Sequence, residues 1–487
     1  MSVRDVDRFF IGGAWVGPRS DEVVDVLNPA TEEVIGRAAA PSTADAAEAV
    51  AAARLAVDRG PWPSAAPKER AAVLRRMGEI LRARKREIGQ LLIDEVGATV
   101  TLAKTGQGTW AIDAFDLCAD WAEEFPWEEP LPLRPDPIPV QGVAVREPVG
   151  VVSAMTPFNY PFFVNCWKVA PALATGNAVV LKPSPWTPLD AFELARAAEE
   201  AGVPPGVLNV IGGGTVLVGQ ELCTNPGIDM VAFTGSVTGG RAVGAAAMQT
   251  VKKVQLELGG KSALVMLDDV EPDDVAWRLM FTCMMHAGQG CGCTTRLLVP
   301  RALHDATVEA LVARCEAEVL GDPNDPATTI GPLIREEHRA RVDGYVRLGV
   351  EEGATIATGG RPPPHLDRGF FYEPTVLTGV RNDMRVAQEE IFGPVLCVIP
   401  YRDEAEAIAI ANDSMFGLGG AVVSNDRERA MGLARALRTG FVAIGAAIPP
   451  NYAGSWGGYK QSGVGREWRL GLQEFTELKE IVWSDGV

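Results

Sequence analysis

Between residues 149 and 265 the chain alternates short, continuously apolar runs with helical segments, and few folds accommodate that pattern. NAVVLK (177–182) has strand length, and LDAFELARAAEEAG after it reads as a helix closing at Gly202. GVLNVIGGG (206–214) is a second strand ending in glycines, followed by helical TVLVGQELC. IDMVAFTGS (228–236) is a third, RAVGAAAM its helix, and VQLELGGKSALVML (254–267) holds two more short apolar runs. Strands that are apolar throughout must be covered on both faces, so the alternation predicts a buried parallel sheet flanked by helices. Ligands of such sheets bind outside the carboxyl ends of the strands. A second α/β region is expected from about 266 to 460. It opens on helical PDDVAWRLMFTCMMHAG and continues through the strands TRLLVP and GPVLCVIPY and a helix in EAEAIAIAN.

Outside this block the punctuation is equally informative. Residues 43–57 are Ala-rich with Ser42 or Thr43 as N-cap, which predicts a helix. Leu74, Met77, Leu81, Ile88, Leu91 and Leu92 recur at helical spacing between Pro67 and Gly97, as in one or two amphipathic helices. In LPLRPDPIPVQGVAVREP (131–148) five prolines preclude a helix, while VQGVAV suits a strand and a turn. The segment is either a linker or an exposed hairpin that pairs with another subunit. FTELKEIVW near the C-terminus reads as an edge strand able to join another sheet.

A length of 487 residues allows two or three domains. The net charge of −18 argues against nucleic acid or an anionic membrane as partner, since both attract Lys/Arg-rich surfaces. Eight scattered cysteines do not form a disulfide framework, and MSVRDVDRFF carries charges where a signal peptide is apolar. The longest uncharged run, Pro148 to Trp167, could span a bilayer by length, but Pro157, Asn159, Pro161 and Asn165 interrupt it, so it reads as buried protein. A cytoplasmic protein is expected.

Four places offer chemistry. The third strand ends in FTGSVTGG, where Gly235, Ser236 and Gly240 either make a tight strand–helix turn or bring free helix N–H groups to a phosphate. Lys182 closes the first strand, as a solvated end-of-strand charge or as a hydrogen-bond donor to a nucleotide sugar. Glu257 is a single charge inside LELGGKS, which suits either the solvent face of a strand or a general base whose pKa is raised by burial. HAGQGCGCTTR (286–296) supplies at most three ligands at a spacing unlike that of zinc sites, and Cys-x-Cys is not the Cys-x-x-Cys of redox pairs. Cys283 and Cys293 suit core packing. Cys291 follows Gly288, Gln289 and Gly290, which leave the backbone open beside its sulfur, and nucleophile is its leading reading.

These segments together resemble the aldehyde dehydrogenase superfamily. FIGGAW and NPATEEVIG look like its opening, PFNYPFFVNCWKVAPALATGNAVVLKPS is similar to its central signature, and FTGS, LELGGKS, GQGC, EEIFGPV and GGYKQSGVGRE follow in its order. The resemblance implies a catalytic Cys291, a general base at Glu257 and an oxyanion-holding amide at Asn159. It implies cofactor contacts at Lys182, Gly235, Ser236, Gly240, Glu390, Phe392 and Pro157, and a substrate lining of Tyr160, Phe163, Trp167 and Trp456. No metal is implied.

The implied reaction is attack of the Cys291 thiolate on an aldehyde, collapse to a thioester with reduction of NAD(P), and hydrolysis through Glu257. The implied fold is α/β. A Rossmann-like dinucleotide-binding domain (1–130 and 149–258) is joined to a second α/β catalytic domain (259–460) and a small β oligomerisation element (131–148 and 473–487), in a homodimer or homotetramer. Three departures from the family pattern stand out. Pro185 replaces a glutamate that disfavours a 2′-phosphate, so NAD is expected with NADP left open. His286 stands where asparagine is common, and Trp456 stands in SWGG rather than PFGG. The aromatic lining implies an apolar or aromatic aldehyde. No arginine in these segments presents itself as a clamp for a carboxylate tail. The alternatives are a coenzyme A-acylating dehydrogenase, which typically lacks the base at Glu257, and a non-catalytic dinucleotide-binding protein.

Overall fold

The structure is a computed structural model that describes residues 4–134, 139–445 and 451–484. Residues 135–138 and 485–487 of the expected oligomerisation element, residues 446–450 of the expected catalytic domain and residues 1–3 lie outside the described residues. The alternating block folds as expected. From edge to edge the first sheet runs Gly463–Val464, Lys253–Glu257, Met230–Thr234, Val151–Met155, Ala178–Lys182, Leu208–Val210, Phe9–Ile11 and Ala14–Val16. Its five central strands are parallel. Val151–Met155 lies at their middle and is fully buried, yet nothing in the uncharged run that contains it marks its ends as a strand.

The register aligns the carboxyl ends of these strands. Met155 pairs with Lys182, Phe233 with Met155, and Thr234 with Glu257. One edge of the sheet therefore presents Thr156–Pro157, Lys182, Gly235 and Glu257 side by side. Chain order reverses between Val151–Met155 and Met230–Thr234, and doubly wound sheets open a ligand crevice at such a switch.

The two apolar runs of VQLELGGKSALVML enter different sheets. Lys253–Glu257 belongs to the first, whereas Ala263–Met266 is central to a seven-stranded second sheet. Its order is Thr355–Thr358, Thr375–Thr378, Val395–Tyr401, Arg296–Pro300, Ala263–Met266, Gly419–Val423 and Phe441–Ile444. The chain crosses between sheets at Leu258–Gly259–Gly260, and neither glycine has room for a side chain. A Cβ on Gly259 would strike the Glu390 carboxylate and one on Gly260 the Cys291 carbonyl. The glycines thus bring the end of the first sheet against the loop that carries Cys291.

The N-terminal helices form as the pattern predicts. Thr43–Arg59 is capped by Ser42 in a reciprocal box with Asp45, and the Pro67–Gly97 periodicity resolves into Pro67–Ala83 and Lys85–Val96. Thr476–Ser484, Val140–Pro148 and Glu128–Arg134 form a small antiparallel sheet with Leu478, Ile481, Val482 and Trp483 exposed. One expectation fails. PDDVAWRLMFTCMMHAG is a regular helix only over Pro272–Leu279, widens to a π turn at Met280–Met284, and then reverses hand at His286, Ala287 and Gly288 (φ 56°, 52° and 69°). Tertiary contacts of His286, described below, override the local helical preference. Among the described residues no helix is long and apolar enough to cross a membrane.

A buried carboxyl pair supports the cavity wall from behind. Asn165 in the Pro161–Ala174 helix accepts from the Thr156 hydroxyl (2.6 Å) and donates to Asp190 (2.7 Å), while the Leu189 N–H donates to Glu95 (2.7 Å). Burial raises both carboxyls, Glu95 to about 8 and Asp190 well above the usual aspartate range with the neighbouring Glu95 adding to the shift. The folded state then holds protons that the unfolded chain has released above pH 4–5. This contribution favours folding at acid pH and fades as pH rises toward 8. Asp190→Asn keeps an acceptor for Asn165 and removes one charge. Its thermal midpoint should exceed that of the wild type at pH 8 by a few degrees, roughly 1–2 kcal/mol, and converge with it near pH 5. Melting both proteins across that range checks the sign, and a gap that does not widen with pH would refute it.

Candidate active site

A cavity of about 1380 Å³ runs from the carboxyl edge of the first sheet to the Pro272–Leu279 helix. Its wall contains Pro157, Asn159, Tyr160, Phe163, Lys182, Gly235, Ser236, Glu257, Cys291, Glu390, Phe392 and Trp456, so twelve of the fourteen site residues expected from sequence converge on one space.

The other two do not reach it. Trp167 is 1% exposed, because one turn beyond Phe163 on the same helix face it is covered by Trp121, Tyr452 and Trp468. Gly240 is buried where a Cβ would collide with the Leu258 side chain, so it allows close helix–strand packing. Gly239 takes its place on the wall, and the Ser236 hydroxyl accepts from the Gly239 N–H (3.1 Å) as the N-cap of Val237–Ala247.

Cys291 is partly exposed and free, as is Cys293. The Trp456 ring closes over the loop, since a Cβ on Gly292 would come within 2.9 Å of its edge. Burial pushes the Cys291 thiol above its usual range, and the carboxylates of Glu257 and Glu390 add to the shift. Glu257 is 3% exposed, with Oε1 against Gly457, and among the described residues neither oxygen has a partner at normal hydrogen-bond geometry. Burial raises its carboxyl well above the usual range and Glu467 adds to this, while Lys168 and Arg466 oppose it. The burial that left two readings open in the sequence is therefore present.

Asn159 is fixed from both sides. Its side-chain amide donates to the Gln289 carbonyl (2.9 Å), and its main-chain carbonyl accepts from Gln107 Nε2 (3.1 Å) and meets His286 Nε2 at 2.8 Å. Burial lowers the His286 pKa to about 4, so the ring is neutral at pH 7 and its Nε2–H is the donor. The ring also meets Tyr160 edge-to-face at 5.3 Å. These contacts hold the left-handed turn ahead of Cys291.

On the opposite side of the cavity the groups suit a dinucleotide. Lys182 Nζ has only a long bond to the Pro183 carbonyl (3.3 Å) and burial lowers its pKa to about 8. The Val237–Ala247 N-terminus and the unpartnered Thr234 hydroxyl face the same space. Glu390 accepts from the Gly260 N–H (2.9 Å), and burial raises it to about 7. Phe158, Trp186, His338 and Phe392 form an aromatic cluster beside it.

Sequence reading missed Gln107, Glu467 and Lys168. Lys168 Nζ pairs with Glu467 at 3.0 Å with its side chain fully buried, and Glu467 lies on the wall near Glu257. The single lysine in apolar CWKVAPALA was the available signal. Among the described residues no cluster of His, Cys, Asp and Glu could hold a metal.

A thiol, a buried carboxyl and a helix N-terminus gathered at the carboxyl edge of a doubly wound sheet suit a dinucleotide-dependent oxidoreductase. The family model described as "Aldehyde dehydrogenase family" matches residues 15–481. The chain is 40% identical over 476 residues to betaine aldehyde dehydrogenase of Bacillus subtilis (strain 168), covering 97% of this chain and 96% of that one. It is 40% identical over 463 residues to geranial dehydrogenase of Castellaniella defragrans, covering 95% of each. The crystal structure of a Mycobacterium tuberculosis aldehyde dehydrogenase complexed with NAD+ superimposes with a TM-score of 0.96 at 44% identity, covering 100% of both chains. The chain belongs to the aldehyde dehydrogenase family. It is an NAD(P)-dependent enzyme that oxidises an aldehyde to the carboxylic acid.

Proposed function

We propose that the substrate is an apolar or aromatic aldehyde, oxidised through a thioester on Cys291 with NAD as cofactor. The observation that carries this reading is the convergence of Cys291, Glu257 and Asn159 in a cavity whose outer wall is Leu102, Trp110, Phe163, Phe281, Met285 and Phe441. The Cys291 thiol gives up its proton to cavity water and the resulting thiolate attacks the carbonyl carbon, while the oxyanion is stabilised by the Asn159 amide and a backbone N–H. A bound nicotinamide supplies the hydride acceptor that makes the thioester. Glu257 takes a proton from water, and the resulting hydroxide releases the acid. His286 and Gln107 hold the Asn159 main-chain carbonyl and so fix the backbone that carries the amide.

Lys182, Pro157, Gly235, Ser236, Gly239, Glu390 and Phe392 hold the dinucleotide. Pro185 puts no carboxylate beside the ribose, so charge does not bar NADP. The preference for NAD draws on the NAD+ complex at 44% identity.

The domain limits that fit these roles are 1–130 with 149–258, 259–460, and 131–148 with 473–487. The exposed apolar side chains of the small sheet support its role in a homodimer or homotetramer. Eight free cysteines support a cytoplasmic location.

The test follows NAD and NADP reduction separately against aliphatic, aromatic and cationic aldehydes. Apolar and aromatic members should show the lowest KM. A trimethylammonium aldehyde turned over best would replace this reading with that of the betaine aldehyde relative.

A further inference from the structure

We propose that Arg278 is a second recognition point in this cavity and selects aldehydes whose far end carries a carboxylate. The inference rests on the apolar-aldehyde reading, since it concerns the other end of the same molecule. Trp277, Arg278, Phe281, Thr282 and Met285 all face the cavity, at the spacing of one helix stripe. Thr282 is tied to the nucleophile loop. Its carbonyl accepts from the Thr294 N–H (2.9 Å) and its hydroxyl from the Thr294 hydroxyl (2.7 Å). Arg278 lies one turn further out, about 6 Å along the axis. Trp277 and Phe281, edge-to-face at 4.8 Å and nearly half exposed, mark the rim beside it.

The guanidinium is uncommitted. Among the described residues Arg278 has no ion pair or hydrogen bond, and its Nε is shut from water without an acceptor. Asp274, four residues earlier at helix ion-pair spacing, does not engage it. The other cations on the wall lie on the dinucleotide side, Lys182 at the end of the first sheet and Arg341 bonded to the carbonyls of Glu390 and Ile391. A buried donor left unpaired is costly, and a planar fork at an apolar rim suits a carboxylate that arrives with the ligand. The same charge opposes an ammonium tail.

The middle of the substrate must then be apolar and long enough to reach from Cys291 past Thr282, about six to ten carbons or one aromatic ring. The test uses the purified full chain with NAD and three matched aldehydes: an ω-oxo acid of that length, its methyl ester, and the parent alkanal. In the wild type the acid should exceed the ester in kcat/KM by about 10- to 100-fold, carried mainly by KM. The ratio should fall to near one in Arg278→Gln and be partly retained in Arg278→Lys, which keeps the charge without the fork. A ratio near one in the wild type, or one unchanged in Arg278→Gln, overturns the assignment while turnover of ester and alkanal keeps the apolar reading standing. Silence toward all three overturns both.

Discussion

Cys291→Ser should lose aldehyde-dependent cofactor reduction by about 10⁴-fold or more in kcat/KM, with the thermal transition little changed. The loss is large because a serine hydroxyl lacks both the acidity and the nucleophilicity of a thiol, and nothing beside it makes up the difference. His286 and His338, the latter on the cavity wall, are each bonded to a main-chain carbonyl and neutral. The competing nucleophile is Cys293, which also lines the cavity. Its N–H is bonded to the Gly290 carbonyl, and its sulfur lies 2.7 Å from where a Cβ on Gly290 would stand, so it is turned back onto the loop. Cys293→Ser should therefore retain most of the turnover. Stopped assays of both variants with one good apolar aldehyde decide the matter. Activity surviving in Cys291→Ser and lost in Cys293→Ser would move the nucleophile two residues along the chain.

The difference between the two cysteines also shows where sequence was sufficient and where it was not. Continuous apolar runs separated by helical segments fix a parallel sheet because burial on both faces leaves no other partner for them, and those elements formed at the expected residues. Cys291 and Glu257 stood out because glycines flank them, and glycine is needed where two backbones approach, as Gly259 and Gly260 do beneath Glu390 and Cys291. What was illegible depended on contacts between distant segments. The break at Met280–Gly288 is imposed by a bond from His286 to a carbonyl 127 residues away. The family resemblance placed Trp167 in the lining, but although it shares a helix face with Phe163, its turn is covered by Trp121, Tyr452 and Trp468. Arg278 drew no notice in the sequence, because nothing in PDDVAWRLMFTCMMHAG shows that Asp274 at i−4 leaves it unpaired.

Glu257→Gln should separate the two halves of the reaction. Attack by Cys291 and formation of the thioester do not require a carboxylate at 257 to accept a proton from water, so the variant should deliver a burst of about one equivalent of reduced cofactor per site and then stall. Steady-state turnover should fall by about 10²–10⁴-fold, the usual contribution of a positioned base. Mass spectrometry should find an acyl adduct on Cys291 that the wild type does not accumulate. The pH dependence follows from burial. A base acts when deprotonated, and a folded pKa raised above 4.5 moves the acid-side loss of deacylation upward in pH, toward neutrality. Wild-type steady-state turnover should decline as pH falls through that displaced limb, and the residual rate of Glu257→Gln should lack it. Glu467, paired with Lys168 at 3.0 Å, is the other carboxylate near Glu257 and could stand in for the base. Glu467→Gln removes the neighbouring negative charge, so it should lower the pH of the limb without producing a stalled adduct. A burst-free Glu257→Gln with turnover within tenfold of the wild type would remove the hydrolytic assignment from Glu257. Acyl transfer to added coenzyme A at a rate above hydrolysis in the wild type would do the same, because a thiol acceptor needs no water-activating carboxylate.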